Sequence, residues 1–179
     1  MLNGPLLVTE RLILRPPAAE DFEAAVAFHA DPETMRFLSG PKSRAETWRA
    51  WCCLAGSWHI NGFGMFSMIE RATGRWIGRA GPWQPAEWPV AEIGWGVARE
   101  FEGKGYAREA AVAAIDYAFD RLGWDAVHHI IDPQNTGSIK LAERLGSAKM
   151  GPTRMPAPFQ DKQVDCYGQT REAWKARRN

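Results

Sequence analysis

Apolar residues recur along this chain in two rhythms, and the alternation between them lays out its elements. Residues 9–15 (Thr-Glu-Arg-Leu-Ile-Leu-Arg) alternate with period two, Leu12 and Leu14 on one face and Arg11, Ile13 and Arg15 on the other. That predicts a strand, which Pro16-Pro17 must stop. Residues 18–30 switch to helical spacing, with Phe22, Val26 and His29 on one stripe, and Asp31-Pro32 ends the run. A short helical piece reaches about Leu38 before Ser39-Gly40-Pro41 breaks it. Ser43 and Glu46 then make a capping box for a helix extending to roughly Ile60. Trp48, Trp51, Ala55 and Trp58 fall on one face of that helix, a row that reads first as core.

Residues 63–70 and 75–80 read as two strands joined by the turn Arg71-Ala72-Thr73-Gly74. Residues 81–89 hold Pro82, Pro85 and Pro89 and read as a surface loop. Residues 90–97 form a strand carrying Gly94 and Gly96, a sign of a bulge or of close backbone approach by a ligand. Residues 106–122 give the strongest helix, with Ala110, Ala114, Tyr117 and Ala118 on one face and Gly123 as its stop. A strand at 126–131, a helix at 135–145 ending at Gly146, strands near 148–155 and 163–170, and a short basic helix complete the chain.

Early strands are hairpin neighbours and later ones are separated by helices. The expected class is therefore α/β (α+β): a mixed, mostly antiparallel sheet of six or seven strands with helices on both faces. No repeat, linker or low-complexity stretch interrupts residues 1–179, so one domain is expected.

Composition excludes several roles. Lys plus Arg number 22 and Asp plus Glu 21, so no global field steers the chain toward nucleic acid or a membrane. No apolar run approaches the length of a membrane span, and Met1-Leu2-Asn3-Gly4-Pro5 is unlike an export signal, so a cytoplasmic protein, monomer or homodimer, is expected. Cys52, Cys53 and Cys166 show no metal-ligand spacing, and His128-His129, neighbours on a strand, must point to opposite faces, so no metal is expected. Nine tryptophans are many for this length. Trp83 and Trp88 stand among Pro and Gly, either as rim of a Trp-rich core or as walls of a pocket.

Chemistry concentrates in Arg99-Glu100-Phe101-Glu102-Gly103-Lys104-Gly105-Tyr106-Ala107-Arg108-Glu109-Ala110. A strand enters a glycine-rich turn that opens a long helix, so unbonded N–H groups sit at the positive end of the helix dipole. Gly103 and Gly105 admit a ligand close to the main chain, and Lys104 and Arg108 add charge: a pyrophosphate site. The P-loop pattern fails, with Ala98 at its first glycine and Gly105 at its Ser/Thr. The dinucleotide fingerprint fails because Arg108 stands at its third glycine.

The same segment resembles the GNAT superfamily of N-acetyltransferases, whose motif reads Gln/Arg-x-x-Gly-x-Gly/Ala. Glu102 through Ala107 match it at Gly105 and Ala107. The likeness extends to residues 9–15, Ile77-Gly78, Glu92-Ile93-Gly94-Trp95, Asn135-x-x-Ser138, Glu143-Arg144-Leu145-Gly146 and residues 170–174, and it points to the branch containing ribosomal-protein N-terminal acetyltransferases. Two positions depart: Glu102 replaces the motif's Gln or Arg, and Ser147 replaces a frequent Phe, so packing after Gly146 must differ.

The resemblance implies acetyl-coenzyme A as co-substrate, its pyrophosphate on Glu102, Gly103, Lys104, Gly105, Tyr106, Ala107 and Arg108. It implies that the segments 90–97 and 126–131 splay apart, the pantetheine arm lying along Trp95, Gly96 and Val97. Asn135 would contact that arm, and Ser138 would sit near the thioester sulfur. Read from spacing alone, Asn135 is also a helix cap. Glu92 is the candidate base, acting through water, against the alternative of an ordinary surface carboxylate. The acceptor implied is an amine, by resemblance a protein N-terminus. A small-molecule amine is the alternative, and a non-catalytic acyl-coenzyme A binding module is the rival from another class.

Overall fold

The computed structural model describes residues 4–178. Residues 1–3 of the stretch read for an export signal lie outside the described residues. The elements are β1 (Leu7–Val8), β2 (Leu12–Arg15), α1 (Phe22–Ala30), α2 (Pro32–Met35), α3 (Arg44–Ile60), β3 (Phe66–Glu70), β4 (Trp76–Trp83) and β5 (Glu92–Val97). They continue as α4 (Tyr106–Asp120), β6 (Ala126–Ile131), α5 (Thr136–Leu145), β7 (Ala148–Thr153), β8 (Val164–Thr170) and α6 (Arg171–Arg178). The strands form one mostly antiparallel sheet in the order β1-β2-β3-β4-β5-β6-β8-β7.

Eight strands exceed the expected six or seven by one short piece. Thr9–Arg11 is a turn rather than strand, with the Thr9 amide donating to the Leu12 carbonyl at 2.9 Å. That turn brings Leu7 and Val8 back against Leu14 and Ile13. Two residues carry too little periodicity to be read in advance. β5 pairs with β6 in parallel at the register pair Glu92↔His128, in accord with strands that part.

Two compact units make up the chain: Met1–Gly81 with Trp95–Ala113, and Pro82–Gly94 with Ala114–Asn179. In the first, β1 to β4 form an antiparallel meander whose inward residues Leu12, Leu14, Phe66, Met68 and Ile77 are fully buried. Helices α1 and α3 close over it through aromatic edges: Phe28 to Trp76 at 5.5 Å, Trp51 to Trp76 at 6.2 Å and Trp58 to Phe66 at 4.8 Å between centroids. Two helical stripes differ from expectation. On α1 the buried residues are Ala25, Phe28 and His29, with Phe22 and Val26 at the margin. On α3 they are Thr47, Trp51, Leu54, Ser57 and Trp58. Trp48 is 56% exposed, because the buried arc is centred one residue round the helix from it.

In the second unit β6 and β7 flank β8, from Ala126↔Thr170 to Ile131↔Asp165 on one side and Ala148↔Gly168 to Thr153↔Val164 on the other. Ala114, Tyr117 and Ala118 of α4 are buried as the sequence predicts, as is Ala110 in the first unit. After Gly146, Ser147 replaces hydrophobic packing with a polar cluster. His129 Nδ1 donates to the Ile93 carbonyl at 2.7 Å, so its Nε2 accepts from the Ser147 hydroxyl at 3.0 Å. Gln169 Nε2 donates to the same hydroxyl at 3.0 Å and to the Leu145 carbonyl at 3.1 Å.

Candidate active site

The glycine turn belongs to the first unit. A 3-10 turn at Arg99–Phe101 ends at Glu102, and α4 begins at Tyr106. Between them Gly103 has φ +71° and Gly105 φ +83°, conformations that L side chains rarely adopt. A Cβ added at Gly103 would meet nothing within 4 Å, and one at Gly105 only the Arg11 guanidinium at 3.4 Å. The space above the turn is therefore open to a ligand. Glu102, Lys104 and Arg108 are exposed and Ala107 is half-buried. Amides at the start of a 15-residue helix with two exposed cations beside them fit a pyrophosphate. Glu102, exposed, can leave its carboxylate in water.

A clamp that sequence reading missed holds this turn. Arg11 Nη1 donates to the Lys104 carbonyl at 2.9 Å, and its Nε donates to Glu109 Oε2 at 2.7 Å. Glu109 Oε1 accepts from the Arg11 backbone N–H at 2.7 Å and the Thr9 hydroxyl at 2.6 Å. Burial alone would raise the Glu109 carboxyl, but these bonds outweigh it and hold the group below the usual range. The Arg11 guanidinium also covers the Tyr106 ring at 4.5 Å, and the Tyr106 hydroxyl donates to Glu70. A carboxylate in the first turn of α4 was the available signal, since it suits the helix N-terminus. Its partners, about a hundred positions away, carry no local mark.

Trp95, Gly96 and Val97 lie on β5, half-buried. The Gly96 carbonyl lies so close to Gly78 that a Cβ there would come within 2.3 Å of it. In the second unit Glu92 is 8% exposed, its Oε2 accepting from the Trp88 indole N–H at 2.7 Å and its Oε1 from the Ile130 amide at 3.3 Å. It is thus a buried, hydrogen-bonded carboxylate rather than one on an open strand surface. Asn135 caps α5, its Oδ1 accepting from the Ser138 amide at 3.1 Å, which joins those two residues directly. Ser138 is half-buried.

Strand β4 runs on through Gly81 and Pro82 to Trp83, so the loop after it is shorter than expected. Trp83 and Trp88 meet at 6.4 Å between ring centroids, and Trp88 meets Phe159, a residue the sequence reading passed over, at the same distance. Trp51, by contrast, is core. Cys52 and Cys53 are exposed and Cys166 is buried. Burial, then the charge of Glu92, pushes the Cys166 thiol up. Among the described residues no group of three or more His, Cys, Asp or Glu is placed to hold a metal ion. No described helix is long and apolar enough to cross a membrane.

A mostly antiparallel sheet with a short parallel pairing, and a glycine turn feeding a long helix, frame the candidate site. The sequence model of the acetyltransferase (GNAT) domain matches residues 11–148, and the chain belongs to that family. Acetyl-coenzyme A is the co-substrate of the family and amines are its acceptors. Among relatives, an uncharacterised N-acetyltransferase, p20, of Bacillus licheniformis is 32% identical over 164 residues, covering 90% of this chain and 92% of its own. The FsC-acetyl coenzyme A-N(2)-transacetylase of Aspergillus fumigatus is 29% identical, covering 95% and 78%. The crystal structure of an acetyltransferase from Agrobacterium tumefaciens str. C58 superposes with a TM-score of 0.84 at 36% identity, covering 94% and 96%.

Proposed function

We propose that this protein transfers the acetyl group of acetyl-coenzyme A to a primary amine by direct attack, residues 1–179 working as one cytoplasmic transferase domain. The observation that carries the reading is the turn at Gly103 and Gly105: two positive-φ glycines under open space, leading into α4. In this reading the amides from Gly103 to Ala107, with Lys104 and Arg108, hold the pyrophosphate. The backbone of Trp95, Gly96 and Val97 holds the pantetheine arm. Asn135 serves its cap through Oδ1 and offers its amide group to the arm.

Acetyl-coenzyme A supplies the thioester, and the residues supply proton handling and polarisation. An amine at neutral pH is an ammonium, which has no lone pair to attack with. Glu92 takes its proton through a water, and the Trp88 and Ile130 N–H groups keep both carboxylate oxygens oriented for that task. As the amine nitrogen bonds to the acetyl carbon, a main-chain N–H between Trp95 and Val97 polarises the carbonyl. The carbon–sulfur bond breaks as the second proton of the attacking nitrogen passes through the Ser138 hydroxyl to the departing sulfur, leaving the serine as it began, and the proton taken by Glu92 returns to water. The products are the acetamide and the coenzyme A thiol. A raised Cys166 thiol and two exposed helical cysteines support attack without a covalent relay.

The resemblance alone points to a protein N-terminal amine as one candidate acceptor. The aromatic residues beside Glu92 favour a second reading, a small-molecule amine, and the named transacetylase relative accords with acetylation of an amine nitrogen. Calorimetry with acetyl-coenzyme A tests the site. Gly105→Val should weaken binding at least about tenfold, because a β-branched residue resists positive φ and fills the approach. Unchanged affinity in a folded variant refutes the placement. Tight binding with no thiol released across a panel of amines and peptides leaves only the non-catalytic module.

A further inference from the structure

We propose that the acceptor is a small primary amine carried on an aromatic body, held by Trp83, Trp88 and Phe159 while Glu92 receives its ammonium end. The inference rests on the reading of Glu92 as the proton acceptor and adds what that site recognises.

Within the second unit, the end of β4, the segment before β5 and the stretch between β7 and β8 each contribute one aromatic ring to this group. The ring centroids stand 6.4 Å apart in both pairs, at interplanar angles of 81° and 82°. That is the far end of the range for aromatic contacts, about 4.5–7 Å. All three rings are half-buried. The buried pair Trp58 and Phe66 closes to 4.8 Å. Buried pairs reach 6.2 Å at Trp51 and Trp76, so it is the half-burial of these three rings, not their spacing, that leaves part of their surface open.

At the base of the group is a carboxylate rather than more core. Trp88, the ring shared by both pairs, donates its indole N–H to Glu92, whose side chain is nearly excluded from solvent. Aromatic faces and a buried carboxylate both attract a cation. The Phe159 ring already carries one, the Lys162 ammonium at 5.8 Å from its centroid. An arylalkyl ammonium matches this chemistry, with one positive charge for one carboxylate and a flat apolar body for the ring faces. A polyamine would set its further charges against apolar rings. A peptide N-terminus would set its backbone N–H and C=O groups against apolar ring faces.

Trp88 acts on Glu92 as a positioning residue. Without its N–H the carboxylate loses a donor that favours the charged form, so the acidic limb of the rate profile moves to higher pH.

The experiment measures thiol release from acetyl-coenzyme A with tryptamine, phenethylamine, hexylamine, spermidine and tetrapeptides beginning with Phe or Ser. Tryptamine binding is measured by calorimetry in parallel. The expected result is the highest kcat/KM for the two arylalkylamines. Trp83→Leu and Phe159→Leu should raise their KM roughly tenfold, leaving kcat within about twofold and acetyl-coenzyme A affinity unchanged. Trp88→Phe, which keeps a ring and removes the N–H, should shift the acidic limb of kcat/KM upward.

Preference for spermidine, hexylamine or a peptide overturns the proposal, as does an arylalkylamine KM that neither leucine variant moves. Should tryptamine bind, and the variants lose it, while no thiol is ever released, recognition stands and the transfer reading falls. Should non-aromatic amines be acetylated at rates the variants leave alone, transfer stands and the aromatic site falls. Failure of arylalkylamines both to bind and to react overturns the proposal as well.

Discussion

Arg11 joins the N-terminal turn to the glycine loop, and Arg11→Ala tests how firmly that loop is held. The substitution removes the bond to Glu109 Oε2 at 2.7 Å, the bond to the Lys104 carbonyl at 2.9 Å and the guanidinium over Tyr106. It leaves Glu109 with two donors, the backbone N–H of residue 11 and the Thr9 hydroxyl. The Arg11 side chain is 41% exposed, so screening trims the ion pair to about 1 kcal/mol. The carbonyl bond contributes about 1 kcal/mol more. The stacked cation adds about 0.5–1 kcal/mol. The total, about 3 kcal/mol, corresponds to a fall of about 6–12 °C in Tm for a chain of this size.

Scanning calorimetry at pH 7 reads that fall, with Arg11→Lys as control, since an ammonium cannot span Glu109 and the Lys104 carbonyl together. Acid adds a second reading. The Glu109 carboxyl is held below its ordinary value, so the stability it contributes is present above the unfolded pKa and lost as pH falls through the folded one. Arg11→Ala should therefore flatten the acid-side loss. A Tm within about 2 °C of the parent, with an unaltered acid limb, would refute the clamp.

Three further outcomes follow from other sites. His29 and His129 are held neutral, chiefly by burial, with pKa values lowered to about 4. The unfolded chain then binds more protons between about pH 4 and 6.5, so each histidine should cost about 2 kcal/mol of urea-measured stability between pH 7 and 5, and His129→Asn should remove about half of that slope. Gly78→Ala would drive a Cβ to 2.3 Å from the Gly96 carbonyl at φ +154°. It should destabilise by more than about 3 kcal/mol, and a Tm near the parent's would show that β4 can give way. Ser138→Ala should lower turnover about a hundredfold at unchanged acetyl-coenzyme A affinity, and full turnover would end its role at the sulfur.

What could be read in the sequence was what repeats within a few residues. The capping box at Ser43 and Glu46, the alanine face of α4, the Asn135 cap and the positive-φ glycines all come from local spacing, and the structure holds each of them. The glycine turn itself was legible for the same reason. Contacts between distant positions were not. Nothing near Thr9 or Arg11 announces Glu109, and nothing near Glu92 announces the Ile130 amide on its carboxylate. Phe159 was missed because a lone aromatic among Pro and Gln has no periodicity to assign it a face. The helix stripes shifted for a milder reason: a 100° step per residue makes one position the difference between the centre and edge of a buried arc.

Ser147 shows how far a motif can change while its surroundings compensate. A Phe after Leu-Gly would fill that place with a ring, and a serine alone would leave a hole and a buried hydroxyl, each destabilising. Here the hydroxyl lies between a histidine from β6 and a glutamine from β8, and all three are buried. The histidine in turn donates to the Ile93 carbonyl of β5, one residue past the point where β5 and β6 pair. A side chain thus supplies a bond between the two strands beyond those of the backbone ladder. The polar cluster therefore both fills the space after Gly146 and holds β6 to the start of β5, where Glu92 resides. Reading Ser147 by itself registers a lost aromatic; reading it with His129 and Gln169 shows a joint beneath the residue proposed to take the proton.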